Sequence, residues 1–133
     1  MSYQFEFDSK NRVLRVTFDG LVTDQIITEF YACAGEYVAR TMPRATIADF
    51  SGITAFVAAP STLFILAKSA PIMKDPEIIR IIIAPGQHVF GMSRMFQMVG
   101  ESTRPSLRVV RSQEEAFVML SLQDPQFKPV NLE

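Results

Sequence analysis

The sequence is poor in the residues on which disulfide-bonded, metal-binding and membrane-spanning proteins depend. A single cysteine, Cys33, excludes an internal disulfide and fits a reducing compartment. The one histidine, His88, has no second ligand nearby, so a usual zinc site is not expected. No apolar run approaches the roughly 18 to 20 residues that span a bilayer, and residues 1–6 alternate like a strand rather than resembling a signal peptide. We therefore expect a cytoplasmic protein with no membrane span, metal or cofactor.

The charge is nearly balanced, because 13 basic side chains stand against 14 acidic ones. The basic residues do not cluster, so a nucleic-acid partner is not expected. A chain of 133 residues, 48% of them apolar, is typical of one soluble globular domain with a real core. We predict a single domain over residues 1–122 and a C-terminal tail over 123–133, where periodicity is weak.

The amino-terminal part predicts a β-hairpin. Apolar and polar residues alternate over residues 3–8 and again over 13–18, and residues 9–12 between them have turn composition. The four-residue loop pairs Glu6 with Arg15 and places the apolar side chains of both strands on one face.

The rest of the chain alternates between helical and strand patterns. Thr23 is the predicted N-cap of a first helix, Pro60 suits the first turn of a second, and Ser112 opens a capping box for a fourth. The predicted helices span about 24–42, 61–70, 87–99 and 113–120, and the strands between them span 45–50, 78–84 and 106–110. The order ββαβαβαβα predicts an α/β fold: a five-stranded mixed sheet, with an antiparallel hairpin and then parallel strands, and about four helices mainly on one face.

At residues 49–54, Asp-Phe-Ser-Gly-Ile-Thr, the chain resembles the STAS domain, the SpoIIAA-like fold of anti-sigma-factor antagonists. In that fold the third strand ends in an aspartate, an apolar residue and a small polar residue, followed by a β-branched residue and threonine. Residues 112–120 also look like the closing helix of the bacterial group described as STAS/SEC14-like. That resemblance implies a binding role rather than a catalytic one.

The chain departs from the antagonists where their switch lies. In those proteins an aspartate and a phosphorylatable serine follow the threonine, and the matching positions here are Val57 and Ala58. Neither side chain accepts a phosphate. Ser61 is near but lies past Pro60, so we predict that the phosphorylation switch is absent.

Several side chains remain candidates for contacting a ligand or partner. Asp49 is either a polar group at the carboxyl end of a strand or a carboxylate that accepts backbone N–H groups of the next turn. The Met/Phe-rich third helix suggests an adaptable apolar surface beyond what the core needs. The candidate ligand- or partner-binding residues are Asp49, Ser51, Thr54, Ser61, His88, Met92, Met95 and Phe96.

A second candidate surface follows from strand alternation. If the helices cover the face with Phe5, Leu14 and Ile81, the opposite face carries charged residues that are not expected to be fully buried. We therefore expect a two-layer fold whose second face is open to water or covered by a partner. The predicted interface residues on that face are Arg15, Arg80 and Arg108.

Two functions are compatible with these patterns. One is a non-catalytic regulatory protein-interaction module of STAS-like type that lacks the usual serine and forms a homodimer. The other is a carrier of an apolar or lipid-like small molecule. An enzyme is not expected, because no paired acids, metal cluster or activated nucleophile can be assembled.

Overall fold

The computed structural model describes residues 2–132. In chain order its elements are β1 (Tyr3–Asp8), β2 (Val13–Val22), α1 (Asp24–Thr41), β3 (Ala45–Phe56), α2 (Pro60–Lys68), β4 (Ile79–Ile83), α3 (Gln87–Val99), β5 (Leu107–Val110), α4 (Gln113–Met119) and β6 (Lys128–Pro129). The strands form one mixed sheet in the order β5-β4-β3-β2-β1-β6. β1 pairs antiparallel with β2 and β6, and the other neighbours are parallel.

The sheet has six strands in the described chain, so the prediction of five is wrong by one. The extra strand, β6, pairs Lys128 with Phe7 at the edge of β1. The backbone N–H of Val130 also donates to the carbonyl of Phe5 at 3.0 Å. A two-residue strand is too short to produce alternation, which is why the segment predicts only a tail.

The hairpin prediction is confirmed. Phe5 lies opposite Val16, Glu6 opposite Arg15, and Phe7 opposite Leu14. Arg15 Nη2 contacts Glu6 Oε1 at 3.0 Å. This register places the apolar rows of both strands in the same core.

The helix boundaries follow local sequence chemistry. The Thr23 hydroxyl accepts the N–H of Ile26 at 3.2 Å and begins α1, which ends at Thr41 and is followed by Met42 as a C-cap in the left-handed conformation. Pro60 occupies the first turn of α2, where its missing N–H is not needed. The Ser112 hydroxyl accepts the N–H of Glu115 at 3.2 Å and begins α4. The predicted caps are confirmed.

Residues of α1, α2 and α3 pack on one face of the sheet and α4 packs on the other. The prediction of a two-layer fold, with its second face open to water or covered by a partner, is therefore wrong. Ala116 and Leu120 pack there against Ile47 and Ile81. The Phe127 ring lies 4.0 Å from the guanidinium carbon of Arg15, so the C-terminal segment covers the Glu6–Arg15 pair.

Strand β4 has the opposite phase to the one predicted. Ile79, Ile81 and Ile83 belong to the core on the α4 side. Arg80 pairs in register with Thr46 and lines the interior beneath α1 to α3. Arg80 therefore does not share a face with Arg15 and Arg108, and its placement in the predicted interface is wrong.

Strand β3 is longer than predicted, because it continues through residues 51–56 beside β2. Two register irregularities in β2, at residues 17–19 and 20–21, accommodate the extension. A Cβ atom at Gly52 would lie 2.1 Å from Asp19 Oδ1 and 3.0 Å from the carbonyl of Phe18. A side chain at this position would have to displace the Asp19 carboxylate and press against the Phe18 carbonyl, so the close approach of the two strands favours glycine.

Asp8 fastens the C-terminal segment to the hairpin. The buried carboxylate accepts the side-chain amide of Asn11 at 2.7 Å and the backbone N–H groups of Lys10 and Gln126 at 3.0 and 3.3 Å. Burial alone would raise the pKa of Asp8, but these hydrogen bonds and that of the Asn11 backbone hold the pKa below its usual value. The ionised form is therefore the one that stabilises the fold.

We expect Asp8→Asn to lower the free energy of unfolding by about 1.5 to 3 kcal/mol at pH 7, the worth of hydrogen bonds to a charged group. Because the pKa of Asp8 is lower in the folded state, its ionised carboxylate stabilises the fold at pH values above the ordinary Asp pKa of about 3.9. This stabilisation is lost as the pH falls through the pKa of the folded state. The difference between wild type and variant should therefore shrink in acid. Urea unfolding at several pH values measures it, with the exposed Glu36→Gln as control. An equal difference at every pH would contradict the assignment.

Candidate functional site

The sheet and the three helices on its main face line an apolar cavity of about 170 Å³ that is partly open to the surface. Its wall is built from aromatic and aliphatic side chains of β1–β5 and α1–α3 and of the segment before β4. Representative lining residues are Phe18, Phe30, Phe50, Leu63, Met92 and Phe96. A pocket with this lining suits an apolar molecule.

The cavity is large for the interior of a small protein, since native cores seldom contain voids larger than a water molecule. At about 24 cal/mol per Å³, a sealed and empty space of 170 Å³ would cost on the order of 4 kcal/mol, which is an upper bound for a cavity that is partly open. That is a large share of the 5 to 15 kcal/mol that stabilises a typical domain. A sealed apolar cavity of similar volume, about 150 Å³, in another protein stays dry and binds benzene. Filling the space with an apolar ligand would recover part of this cost.

Arg80 is the first of two buried arginines in the cavity wall, with 7% of its surface exposed. Its guanidinium donates to the carbonyls of Met73, Asp75 and Ile78, so it holds the segment that leads into β4. Burial lowers the pKa of Arg80 from its usual range, the charge of Arg104 lowers it further, and Asp75 acts in the opposite direction.

Arg104 is the second buried arginine in the wall, at 5% exposure. Its Nη1 donates to the carbonyl of Ala67 at 2.9 Å and its Nη2 to that of Leu66 at 3.2 Å. These carbonyls lie in the last turn of α2, where intrahelical donors run out, and that of Leu66 also accepts the backbone N–H of Ser69 at 3.1 Å. The guanidinium carbon also lies 4.9 Å from the centre of the Phe96 ring.

Tyr31 adds a hydroxyl to the same part of the wall. Burial raises the pKa of Tyr31, while the charge of Arg104 and a hydrogen bond with it act in the opposite direction. The cavity thus combines an apolar body with a local group of hydrogen-bond donors.

The residues predicted around the end of β3 do not line this cavity. Asp49 Oδ1 accepts the N–H of Ser51 at 2.9 Å, which is the local backbone contact that we weighed against a ligand role. Ser51 and Thr54 are exposed on the extended β3. Ser61 is exposed in the first turn of α2.

On α3 the structure separates the predicted residues. Met92 and Phe96 line the cavity, and both are partly buried. Met95 is partly buried outside the lining, and His88 is exposed with its ring 6.3 Å from that of Phe56. The apolar signal of this helix therefore marks the wall of a cavity as well as a surface.

Of the three predicted interface arginines, Arg108 is the exposed one, and its Nη1 donates to the carbonyls of Pro105 and Leu107 at 3.0 Å. The Arg15 guanidinium forms an ion pair with Glu6 and contacts the ring of Phe127, both of the same chain. Arg80 lies in the cavity wall.

Residues 2–132 contain no group of three or more His, Cys, Asp or Glu side chains that could hold a metal ion. Within the same residues, none of the helices has the length and apolar character needed to cross a membrane. Neither protein-family models nor curated proteins give a match to this chain. The resemblance to STAS domains therefore stays a prediction that rests on topology and on residues 49–54.

Arg104 and Tyr31 are the site residues that sequence reasoning missed. Arg104 lies in a polar turn between α3 and β5, and nothing in the local pattern distinguishes it from a solvated arginine. Gly100 is the nearest signal, because a Cβ there would lie 3.0 Å from the carbonyl of Ala67 and 3.2 Å from Arg104 Nη1. A buried glycine at the end of a helix indicates close backbone approach but not what approaches.

Proposed function

We propose that this protein binds a small apolar molecule in the cavity between the sheet and helices α1 to α3, as a carrier or sensor rather than an enzyme. The observation that carries the proposal is an apolar cavity of about 170 Å³ in a domain of this size. Its empty state leaves apolar walls without packing partners, at a cost of at most about 4 kcal/mol, and a ligand of matching shape would offset part of that cost.

The proposal is tested by a substitution that places a larger side chain inside the cavity. Ala34 on α1 is buried and lines the cavity, whereas Ala39 on the same helix is exposed. Both are replaced with leucine, which supports a helix. Titration with 1-octanol, followed by thermal unfolding and native mass spectrometry, should show saturable binding to the wild type and to Ala39→Leu. Ala34→Leu should bind at least about tenfold more weakly, the equivalent of 1.4 kcal/mol.

Two results would contradict this proposal. The wild type could fail to bind 1-octanol or any apolar molecule retained from its expression host. Alternatively, Ala34→Leu could bind as well as Ala39→Leu, which would place the ligand elsewhere.

The second candidate function is a protein-interaction module, supported by exposed apolar side chains near the carboxyl ends of β2 and β3 and on α2. Leu21, Val57, Phe64 and Ile65 are more than two fifths exposed, Ile65 at 67%. Val57 and Ala58 cannot carry a phosphate, so such a module would work without the antagonists' switch. Light scattering tests it, because a homodimer that Ile65→Asp converts to a monomer would favour the module.

A further inference from the structure

We infer that the ligand of this cavity is an amphiphile whose anionic head, a carboxylate or a phosphate, contacts Arg104 and Arg80. The inference rests on the proposed function and adds the chemical class of the ligand to it.

The first argument is charge. Arg80 and Arg104 are each more than nine-tenths buried as whole residues, and both line the same cavity. Within residues 2–132 the one ion pair with N···O at or below 4.0 Å is that of Arg15 with Glu6. Neither buried arginine therefore has a carboxylate within ion-pair distance, although the more distant charge of Asp75 partly compensates Arg80. Uncompensated buried charges are costly, and two positive ones near each other are more so.

The second argument is that the existing hydrogen bonds satisfy donors without neutralising charge. Arg80 and Arg104 donate to backbone carbonyls at the segment before β4 and at the end of α2. Carbonyl groups are neutral, so the net charge of each guanidinium persists. What these bonds supply is a fixed orientation, and donors fixed in advance bind an anion with little loss of conformational entropy.

The third argument is position. Arg80 pairs in register with Thr46 of β3 and Leu107 of β5, and Arg104 lies three residues before Leu107. The charged groups thus lie near the amino ends of β4 and β5. Successive residues on that face are apolar, with Ala48 and Ile82 in the next row. The wall therefore changes from cationic to apolar along the strands. Such a wall is complementary to a molecule with an anionic head and an apolar body.

The experiment compares probes that share one apolar body and differ in the head. Octanoate, octyl phosphate, 1-octanol and octylamine are titrated into the unmodified full chain by calorimetry. We expect at least one anionic probe to bind about tenfold or more tightly than 1-octanol, since a charge-assisted hydrogen bond contributes about 1.5 to 3 kcal/mol. Octylamine should bind most weakly. A preference between octanoate and octyl phosphate then identifies the head.

Two variants locate the head. Arg104→Gln should reduce the preference of the anionic probe over 1-octanol to about twofold or less, because its charge-assisted bonds are lost. Arg108→Gln, on the exposed arginine of β5, should leave the preference unchanged. If Arg104→Gln does not fold, Tyr31→Phe gives a milder test, with a smaller but measurable loss of anion preference.

The outcomes separate this inference from the function on which it rests. Failure of all four probes to bind would overturn both. Binding of 1-octanol as tight as that of the anions, or tighter binding of octylamine, would leave the apolar site standing and overturn the anionic head. An anion preference that survives in both Arg104→Gln and Arg80→Gln would also overturn the inference.

Discussion

Replacing Phe18 with alanine should lower the free energy of unfolding by about 3 to 5 kcal/mol, the usual cost of removing a buried phenylalanine. Phe18 is 1% exposed on β2. Its ring lies 5.3 Å from the ring centres of Phe30 on α1 and Phe50 on β3, and 5.6 Å from that of Tyr3. It therefore joins two strands and a helix to β2, and few side chains replace those contacts when it is removed.

The measurement is urea unfolding of Phe18→Ala beside Phe64→Ala. Phe64 is exposed on α2, so its truncation should change the free energy of unfolding by about 0.5 kcal/mol or less. Because Phe18 lines the cavity, the folded variant should also accept a bulkier apolar probe than the wild type. A loss below about 1 kcal/mol would contradict the position of Phe18 at the centre of the core.

The elements that sequence reasoning placed correctly are those with a local physical signature. The hairpin is defined by alternation and a four-residue loop, and the register of Glu6 with Arg15 follows from both. Helix α3 occupies the predicted residues because its apolar spacing is bounded by Gly86 and Gly100. Each of these signals lies within about a dozen residues of chain, so no tertiary information is needed to interpret it.

The phase of β4 could not be inferred in the same way. Residues 78–83 are isoleucine at every position except Arg80, so the run carries no alternation. This composition is typical of a strand whose two faces are both covered by helices. The single arginine then suggests that its face is exposed to solvent, whereas both faces of β4 are covered. The structure buries Arg80 by supplying carbonyl acceptors from the segment before β4, which is a tertiary contact.

The candidate site could not be predicted from the sequence for a related reason. Its lining comes from five strands, three helices and two loops, and a cavity is a property of how they fit together. Met92 and Phe96 were predicted from composition, whereas Arg104 lies in a polar turn and Tyr31 reads as ordinary helix core. Sequence patterns indicate which residues are apolar, but packing decides whether the space between them is filled.

Arg80→Glu should be the most damaging of the charge changes in the sheet, and its contrast with Arg108→Glu tests the phase of β4 directly. In Arg80→Glu a buried carboxylate would face the carbonyl oxygens of Met73, Asp75 and Ile78, which accept hydrogen bonds from Arg80 and have no proton to donate to a carboxylate. Unpaired buried charges of this kind cost about 3 to 5 kcal/mol or more, a large part of a typical domain's stability. Arg108 is exposed, so its replacement should change the free energy of unfolding by about 0.5 kcal/mol or less.

Thermal and urea unfolding of both variants measure the difference, and Arg80→Met separates the loss of hydrogen bonds from the burial of a negative charge. Arg80→Met should be less damaging than Arg80→Glu, because methionine leaves no unpaired charge in the wall. If Arg80→Glu were as stable as Arg108→Glu, Arg80 would be solvated. The cavity would then lose one of its two cations, and the argument for an anionic ligand would depend on Arg104 alone.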